Sequence, residues 1–483
     1  VTAPDRAATP ASPASPAASP AVLRATDPAA PGETVTEVAA ATPAQAAESV
    51  RTAHRAFDGW AAAPAGRRAE ALHGAAAELA ADADGLALLI CREEGKTLGS
   101  ARGEVAKTVE QFRLAAQLAY LVEGATYPGE SPGVAAWTLR VPLGVVVAIT
   151  PWNFPVSLAA RKIAPALAAG NTVVFKPSPV TPGVGARLAA ACHRGGVPED
   201  VLRVVQGDDP AAMAALAGAP EVRAVTFTGS DRVGAALRGT VGPAARVQFE
   251  LGGHNAALVC ADADLPRAAA EVAAGAFGLT GQVCTATDRV LVERAVAAEF
   301  TELLAERAAK LTAGRGDDPG ADIGPAATAG QRTRLTALLD SAVAAGAVVA
   351  GRGSLAPGAD PAGHWVLPAV LTGVPADHPV NTGELFGPLL SVVPVAGPEE
   401  ALAEINADPH RLVTAIHTRD LGTAHRFLRA ARCGVVKVNE RTTGNGVAPP
   451  FGGWGASSSG AFPEGGRTAL EFVTDTKTVY CAY

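Results

Sequence analysis

Between residues 143 and 253 the chain alternates strand-length apolar runs with helical stretches, and few folds accommodate that pattern. The runs are LGVVVAIT (143–150), NTVVFKPS (171–178), VLRVVQG (201–207), VRAVTFTG (222–229) and ARVQFELGG (245–253). A strand that is apolar at nearly every position is buried on both faces. Strands of that kind joined through helices form a parallel sheet covered on both sides. Such a sheet takes ligands beyond the carboxyl ends of its strands. Pro151 to Pro155, Lys176, Gly229 and Ser230 lie at those ends.

A second α/β run starts at NAALVC (255–260), continues through the strand TDRVLVER (287–294) and ends with VVKVN (435–439). A chain of 483 residues is too long for one ordinary core, so two α/β domains with a cleft between them are expected. Residues 46–120 have helical spacing. TALEFVTDTKTVY (468–480) alternates and is rich in Thr and Val, which predicts an edge strand suited to pairing with another subunit. Residues 1–22 are mostly Ala, Pro and Ser and read as a disordered tail without the basic start and apolar segment of a secretory leader. The expected division is 23–120 with 143–252 for cofactor binding, 253–450 for catalysis, and 121–142 with 466–483 as an oligomerisation arm.

The net charge of −7 argues against a nucleic-acid partner. No run predicts a membrane span, and a cytoplasmic location is expected. The six cysteines (91, 192, 260, 284, 433 and 481) include no CxxC pair, so neither a metal site nor a disulfide framework is expected.

Three segments carry side chains suited to chemistry. In GQVCTATDRV (281–290), Cys284 follows a glycine turn and precedes a strand. Nothing local favours a thiolate there, and taken alone a buried structural cysteine is the simpler reading. In FELGGHN (249–255), Glu250 ends a strand before two glycines, which fits a general base or a solvated turn residue. In ITPWNFPVSLAARKIAPAL (149–167), Asn153 fits an oxyanion donor or a helix cap.

Together with FKPS, FTGS, ELFGP and PFGG, in this order and spacing, these segments resemble the aldehyde dehydrogenase superfamily from about residue 25 onward. The resemblance implies a Rossmann-like cofactor domain, a second α/β catalytic domain and a small β arm. It implies Cys284 as the nucleophile, forming a thiohemiacetal and then a thioester. Asn153 and the Cys284 N–H match the oxyanion hole, and Glu250 matches the base that activates the hydrolytic water. Thr150, Pro151, Trp152, Lys176, Ser178, Gly229, Ser230, Glu384 and Phe386 match the positions that hold NAD or NADP. Trp152 fits simple core packing as well. A thiolate attacks readily and also leaves readily, which suits both halves of that reaction. The resemblance further implies a homodimer or homotetramer, no metal, and a small aldehyde as substrate.

Four positions depart from the family pattern: Pro179 stands where many NAD-preferring relatives carry Glu, Asp231 replaces Thr in the pyrophosphate loop, His254 replaces Lys, and the loop after Gly453 is unusual. Pro179 leaves NADP open. Asp231 adds a negative charge beside a phosphate site unless it caps the helix. Glu250 favours release of a free acid over transfer to coenzyme A. Arg161 matches an arginine that binds the substrate carboxylate in succinate semialdehyde dehydrogenases, and an arginine fork suits a carboxylate; pairing with a structural carboxylate fits equally. The branch most resembled oxidises 2-oxoglutarate or succinate semialdehyde, so an ω-semialdehyde acid is the expected substrate. A broad-specificity aldehyde dehydrogenase and a non-catalytic relative are the alternatives.

Overall fold

The computed structural model describes residues 21–483. The tail expected over 1–22 lies outside the described residues except at its end, where Val22 already begins the strand Val22–Asp27. That strand pairs antiparallel with Ala30–Ala39, a hairpin the sequence reading did not anticipate.

The five apolar runs of 143–253 form one parallel sheet, ordered Leu202–Val204, Thr172–Lys176, Val145–Ile149, Val222–Thr228, Arg246–Glu250. The chain starts in the middle strand, winds outward to one side, then returns to the other. The crevice where the order reverses opens beside Ile149 and Thr228, the usual ligand position in such sheets. A second sheet has seven strands, ordered Val348–Arg352, Ala369–Thr372, Leu389–Val395, Thr287–Glu293, Asn255–Val259, Val413–His417, Val435–Val438. All pair in parallel except the edge strand Val348–Arg352. A third, antiparallel sheet joins Thr474–Ala482, Val134–Pro142 and Thr126–Tyr127.

The expected C-terminal strand is a strand only in its second half. Residues 466–473 are helical, because Leu470, Phe472 and Val473 turn inward and join the core under the first sheet. Burial overrode the alternation.

The helix Ser157–Ala169 crosses that core and is buried at every position but Leu158. Small alanines let its neighbours approach closely, and two cations, Arg161 and Lys162, are carried in with them. Its start is held by a buried carboxylate. Glu104, from the helix Leu98–Leu118, accepts the Val156 and Ser157 N–H groups at 3.0 Å each. The other Glu104 oxygen lies 2.7 Å from Lys96 Nζ, and Lys96 also donates to the Asn153 carbonyl at 2.5 Å. Burial works against the Lys96 charge, but Glu104 and Glu94 outweigh it and hold its pKa above the ordinary lysine range. Removing one partner of such a pair strands a charge in the interior. Glu104→Ala is expected to cost about 3–5 kcal/mol of stability, read from the urea midpoint. A loss below about 1 kcal/mol, as for a surface pair, would contradict this account.

Candidate active site

The helix Leu265–Phe277 ends in a tight turn with Leu279, Thr280 and Gly281 at φ of 55°, 57° and 65°. Left-handed backbone at two non-glycine residues stores of order 1–3 kcal/mol each, and surrounding contacts must hold it. At Gly281 a Cβ would come 2.2 Å from the Gly387 carbonyl oxygen, so only glycine fits. The turn delivers Cys284 into the space between the two large sheets. Cys91, Cys192, Cys260 and Cys433 are buried and Cys481 is exposed, whereas Cys284 is partly exposed and opens onto two cavities. Its thiol is pushed up to about 12 by burial, then by Glu384 and Glu250, with Arg161 opposing. Buried Cys91, Cys192, Cys260 and Cys433 are pushed equally high, so access rather than acidity sets Cys284 apart.

One cavity, of about 330 Å³, is lined by Pro151, Trp152, Asn153, Gly229, Ser230, Glu384 and Phe386, among others. The Trp152 and Phe386 rings meet edge to face at 5.5 Å. Phe386 has φ 47°, held by the Gln331 side chain donating to its carbonyl at 2.5 Å. Glu384 accepts the Gly253 N–H at 3.1 Å, and its carboxyl is pushed up to about 8 by burial and then by Asp288. A Cβ on Gly229 would collide with the Phe227 ring at 2.4 Å, so the loop before the helix Asp231–Arg238 requires glycine. Ser230 caps that helix without a side-chain hydrogen bond, leaving the first N–H groups free.

Thr150, Lys176 and Ser178 are buried at the adjoining strand ends and do not line this cavity. The Thr150 N–H donates to the Lys176 carbonyl at 3.2 Å, and the Thr150 hydroxyl has no partner. Ser178 Oγ accepts the Val180 N–H at 3.2 Å. Lys176 Nζ reaches only the Pro177 carbonyl at 3.4 Å, and burial lowers its pKa to about 8. Free helix N–H groups, the Glu384 carboxyl and an aromatic wall in the cavity fit the phosphates, ribose hydroxyls and ring of a dinucleotide, with Lys176 at the adjoining strand end. Arg334 and Gln331 also line the cavity. Both come from the helix Ala329–Ala344, and no local motif marks them.

Two of the unusual residues prove to be connected. Asp231 does not cap its helix: one oxygen accepts the Gly252 N–H at 3.2 Å and the other lies 2.6 Å from His410 Nε2. The His410 N–H donates to Asp408, whose other oxygen meets His254 Nδ1 at 2.5 Å and Arg289 at 3.1 Å. Asp231 is therefore hydrogen-bonded across the cleft.

The second cavity, of about 610 Å³, lies on the other side of Cys284. Arg161 lines it, with its guanidinium 5.2 Å from the centre of the Phe451 ring. Among the described residues Arg161 forms neither an ion pair nor a hydrogen bond, although it is only 8% exposed. Its neighbour Lys162 instead pairs with buried Glu464 and donates to Thr226 Oγ1.

Asn153 donates one amide hydrogen to the Gln282 carbonyl at 3.0 Å, which leaves the second free, and its Oδ1 has no partner. It does not cap the helix that follows. Glu250 lines neither cavity. It accepts the Gly453 N–H at 3.3 Å and the Ser458 hydroxyl at 3.2 Å, both from the unusual loop. Its carboxyl is pushed well above the usual range by burial and then by Glu464, against the pull of Lys162. Among the described residues, no group of His, Cys, Asp or Glu is placed to hold a metal ion, and no helix is long and apolar enough to cross a membrane.

A doubly wound sheet with a dinucleotide-shaped crevice, facing a second sheet that presents one accessible cysteine, defines a thiol-bearing nucleotide-dependent oxidoreductase. The aldehyde dehydrogenase family model matches residues 16–479, and the chain belongs to that family. It is 37% identical over 427 residues to the 2,5-dioxopentanoate dehydrogenase of Saccharolobus solfataricus, covering 88% of each chain. It is 38% identical over 428 residues to the alpha-ketoglutarate semialdehyde dehydrogenase of Haloferax volcanii, again covering 88% of each. Among solved structures it is similar to an NAD-dependent aldehyde dehydrogenase from Sinorhizobium meliloti, with TM-score 0.91, 31% identity and coverage of 96% and 92%. The protein is an aldehyde-oxidising enzyme that uses NAD or NADP.

The clasp across the cleft has a measurable consequence. His410→Ala removes the hydrogen bond that holds Asp231 across the cleft, and the KM for cofactor is expected to rise roughly two- to fivefold, the scale of a half-exposed pair. Steady-state titration of the cofactor checks it, and an unchanged or lowered KM would contradict it.

Proposed function

We propose that the chain oxidises an ω-semialdehyde acid to the corresponding dicarboxylic acid. The observation that carries this is Arg161, a buried guanidinium without a carboxylate partner, lining the cavity that also holds Cys284. A guanidinium so placed is free to take a carboxylate from a ligand. The names of the Saccharolobus and Haloferax relatives point to the same substrate class.

In this mechanism the Cys284 thiol loses its proton to water, and the resulting thiolate attacks the aldehyde carbon. The free Asn153 amide hydrogen and the Cys284 N–H receive the oxyanion. When bound, NAD or NADP supplies the hydride acceptor, with Lys176, Gly229, Ser230 and Glu384 holding it and Trp152 and Phe386 walling its site. Loss of hydride leaves a thioester on Cys284. Glu250 takes the proton of a water that attacks the thioester, and the acid leaves with Cys284 restored. To reach that water, Glu250 must swing from its Gly453 and Ser458 donors. A carboxyl with raised proton affinity is a stronger base for this step.

The five-stranded sheet, with residues 23–120 and 143–252, serves as the cofactor domain, and residues 253–450 serve as the catalytic domain. The antiparallel arm exposes Tyr127, Leu139, Tyr480 and Tyr483. Such an apolar edge supports a homodimer or homotetramer built through residues 121–142 and 466–483. Six free cysteines suit a reducing, cytoplasmic compartment.

Replacing Glu250 with Gln should preserve the first burst of reduced cofactor and slow turnover by roughly 100-fold or more. Unaltered steady-state turnover would remove Glu250 from the mechanism. In the native enzyme the acid limb of kcat against pH should lie above the ordinary carboxylate range, because a raised pKa keeps the base protonated to higher pH. Arg161→Ala should raise KM for acidic semialdehydes roughly 10- to 100-fold relative to pentanal, the worth of a hydrogen bond to a charged group. Equal changes for acids and pentanal would count against carboxylate recognition.

A further inference from the structure

Arg161 is not the only cation without a carboxylate partner in the 610 Å³ cavity. Lys107, from the helix Leu98–Leu118, lines it with Cys284, Arg161 and Asn445. It is half-buried, and its ammonium donates to the Asn445 carbonyl at 2.7 Å. Among the described residues it makes no ion pair. Glu104, one turn away on the same helix, is already committed to Lys96 and to the start of the helix Ser157–Ala169. Of the carboxylates that line this cavity, Glu271 pairs with Arg441 at 3.8 Å, and Glu440 forms no ion pair among the described residues; Arg267 there donates to the Asn439 carbonyl at 3.3 Å.

We propose that Lys107 is the specificity residue for a keto group next to the substrate carboxylate. Its ammonium donates to the 2-oxo oxygen while Arg161 holds the carboxylate. This deepens the acid-substrate reading and rests on it. An ammonium carries three hydrogens, and the Asn445 carbonyl uses one, so two remain for a ligand. A 2-oxo acid presents its keto oxygen and carboxylate side by side, which matches two cations better than a lone carboxylate does. Shape cannot make this distinction, because a cavity of about 610 Å³ is far larger than a five-carbon acid and a keto group differs little in size from a methylene. Only a placed donor tells them apart, and a donor left unpaired by the wrong ligand penalises it. Burial and then the Arg161 charge lower the Lys107 pKa to about 8.

The test uses two five-carbon substrates that differ only at C2: 2,5-dioxopentanoate and 5-oxopentanoate. For the native enzyme, kcat/KM should favour the keto acid. In Lys107→Met the ratio of the two kcat/KM values should fall roughly 10- to 100-fold, the worth of a hydrogen bond to a charged group. Lys107→Gln, which keeps a neutral donor, should restore part of the ratio. It also serves as the test variant if the methionine form melts early. In Arg161→Ala both acids should lose together relative to pentanal, leaving their ratio nearer the native value than in Lys107→Met. A ratio unchanged in both Lys107 variants overturns the proposal, because Lys107 would then act only as a general cation or a structural residue. A native enzyme without preference for the keto acid overturns it as well. Failure of the acid-substrate reading looks different: pentanal would be used as well as either acid, and Arg161→Ala would change nothing.

Discussion

Much of this molecule hangs on one buried ion pair. Lys96 and Glu104 meet in the interior at 2.7 Å, and each has a second task. Lys96 holds the carbonyl of Asn153, and Glu104 holds the first N–H groups of the helix Ser157–Ala169. The pair thus clamps the loop that carries Trp152 and Asn153 to the helix that carries Arg161 and Lys162. An ion pair in a dry interior gives little net stability, because desolvation offsets its attraction. Its use here is positional. Both groups are fully committed, so loop and helix have one arrangement relative to each other.

From that helix two adjacent cations diverge. Arg161 lines the 610 Å³ cavity beside Cys284. Lys162, the next residue, points instead into the core toward Glu464, and Glu464 in turn raises the proton affinity of Glu250. Neighbouring residues on a helix face directions about 100° apart, so two adjacent cations serve two environments. Cys284 borders both cavities, and it reaches that place on a strained turn. The cleft is also tied on its far side, where Asp231 from the first sheet and Asp408 from the second share His410.

The parallel sheet of 145–250 was legible strand by strand, because strands buried on both faces are apolar throughout; only at its partly buried edges did the runs 201–207 and 245–253 shorten, to Leu202–Val204 and Arg246–Glu250. The strand ends were legible for the same reason, and Thr150 to Asn153, Lys176, Gly229, Ser230 and Glu250 were found there. The early hairpin was not, because Val22–Asp27 and Ala30–Ala39 lie largely at the surface and show no apolar run. The segment 466–473 was misread because its alternation reflects a short buried helix. Lys107, Gln331 and Arg334 were missed because each lies on a helix whose local sequence is ordinary.

Sequence determined the doubly wound sheet and the family, because these depend on local apolar patterning and on motifs a few residues long. Tertiary structure alone decided which charges are satisfied. Arg161 and Lys162 are adjacent cations in the sequence, yet one finds a carboxylate 302 positions away and the other finds none. Asp231 and His254 looked like separate oddities, yet His410 and Asp408 join them. Whether a buried charge belongs to the scaffold or to a ligand depends on which distant side chain folds against it. Spacing along the chain carries no record of that.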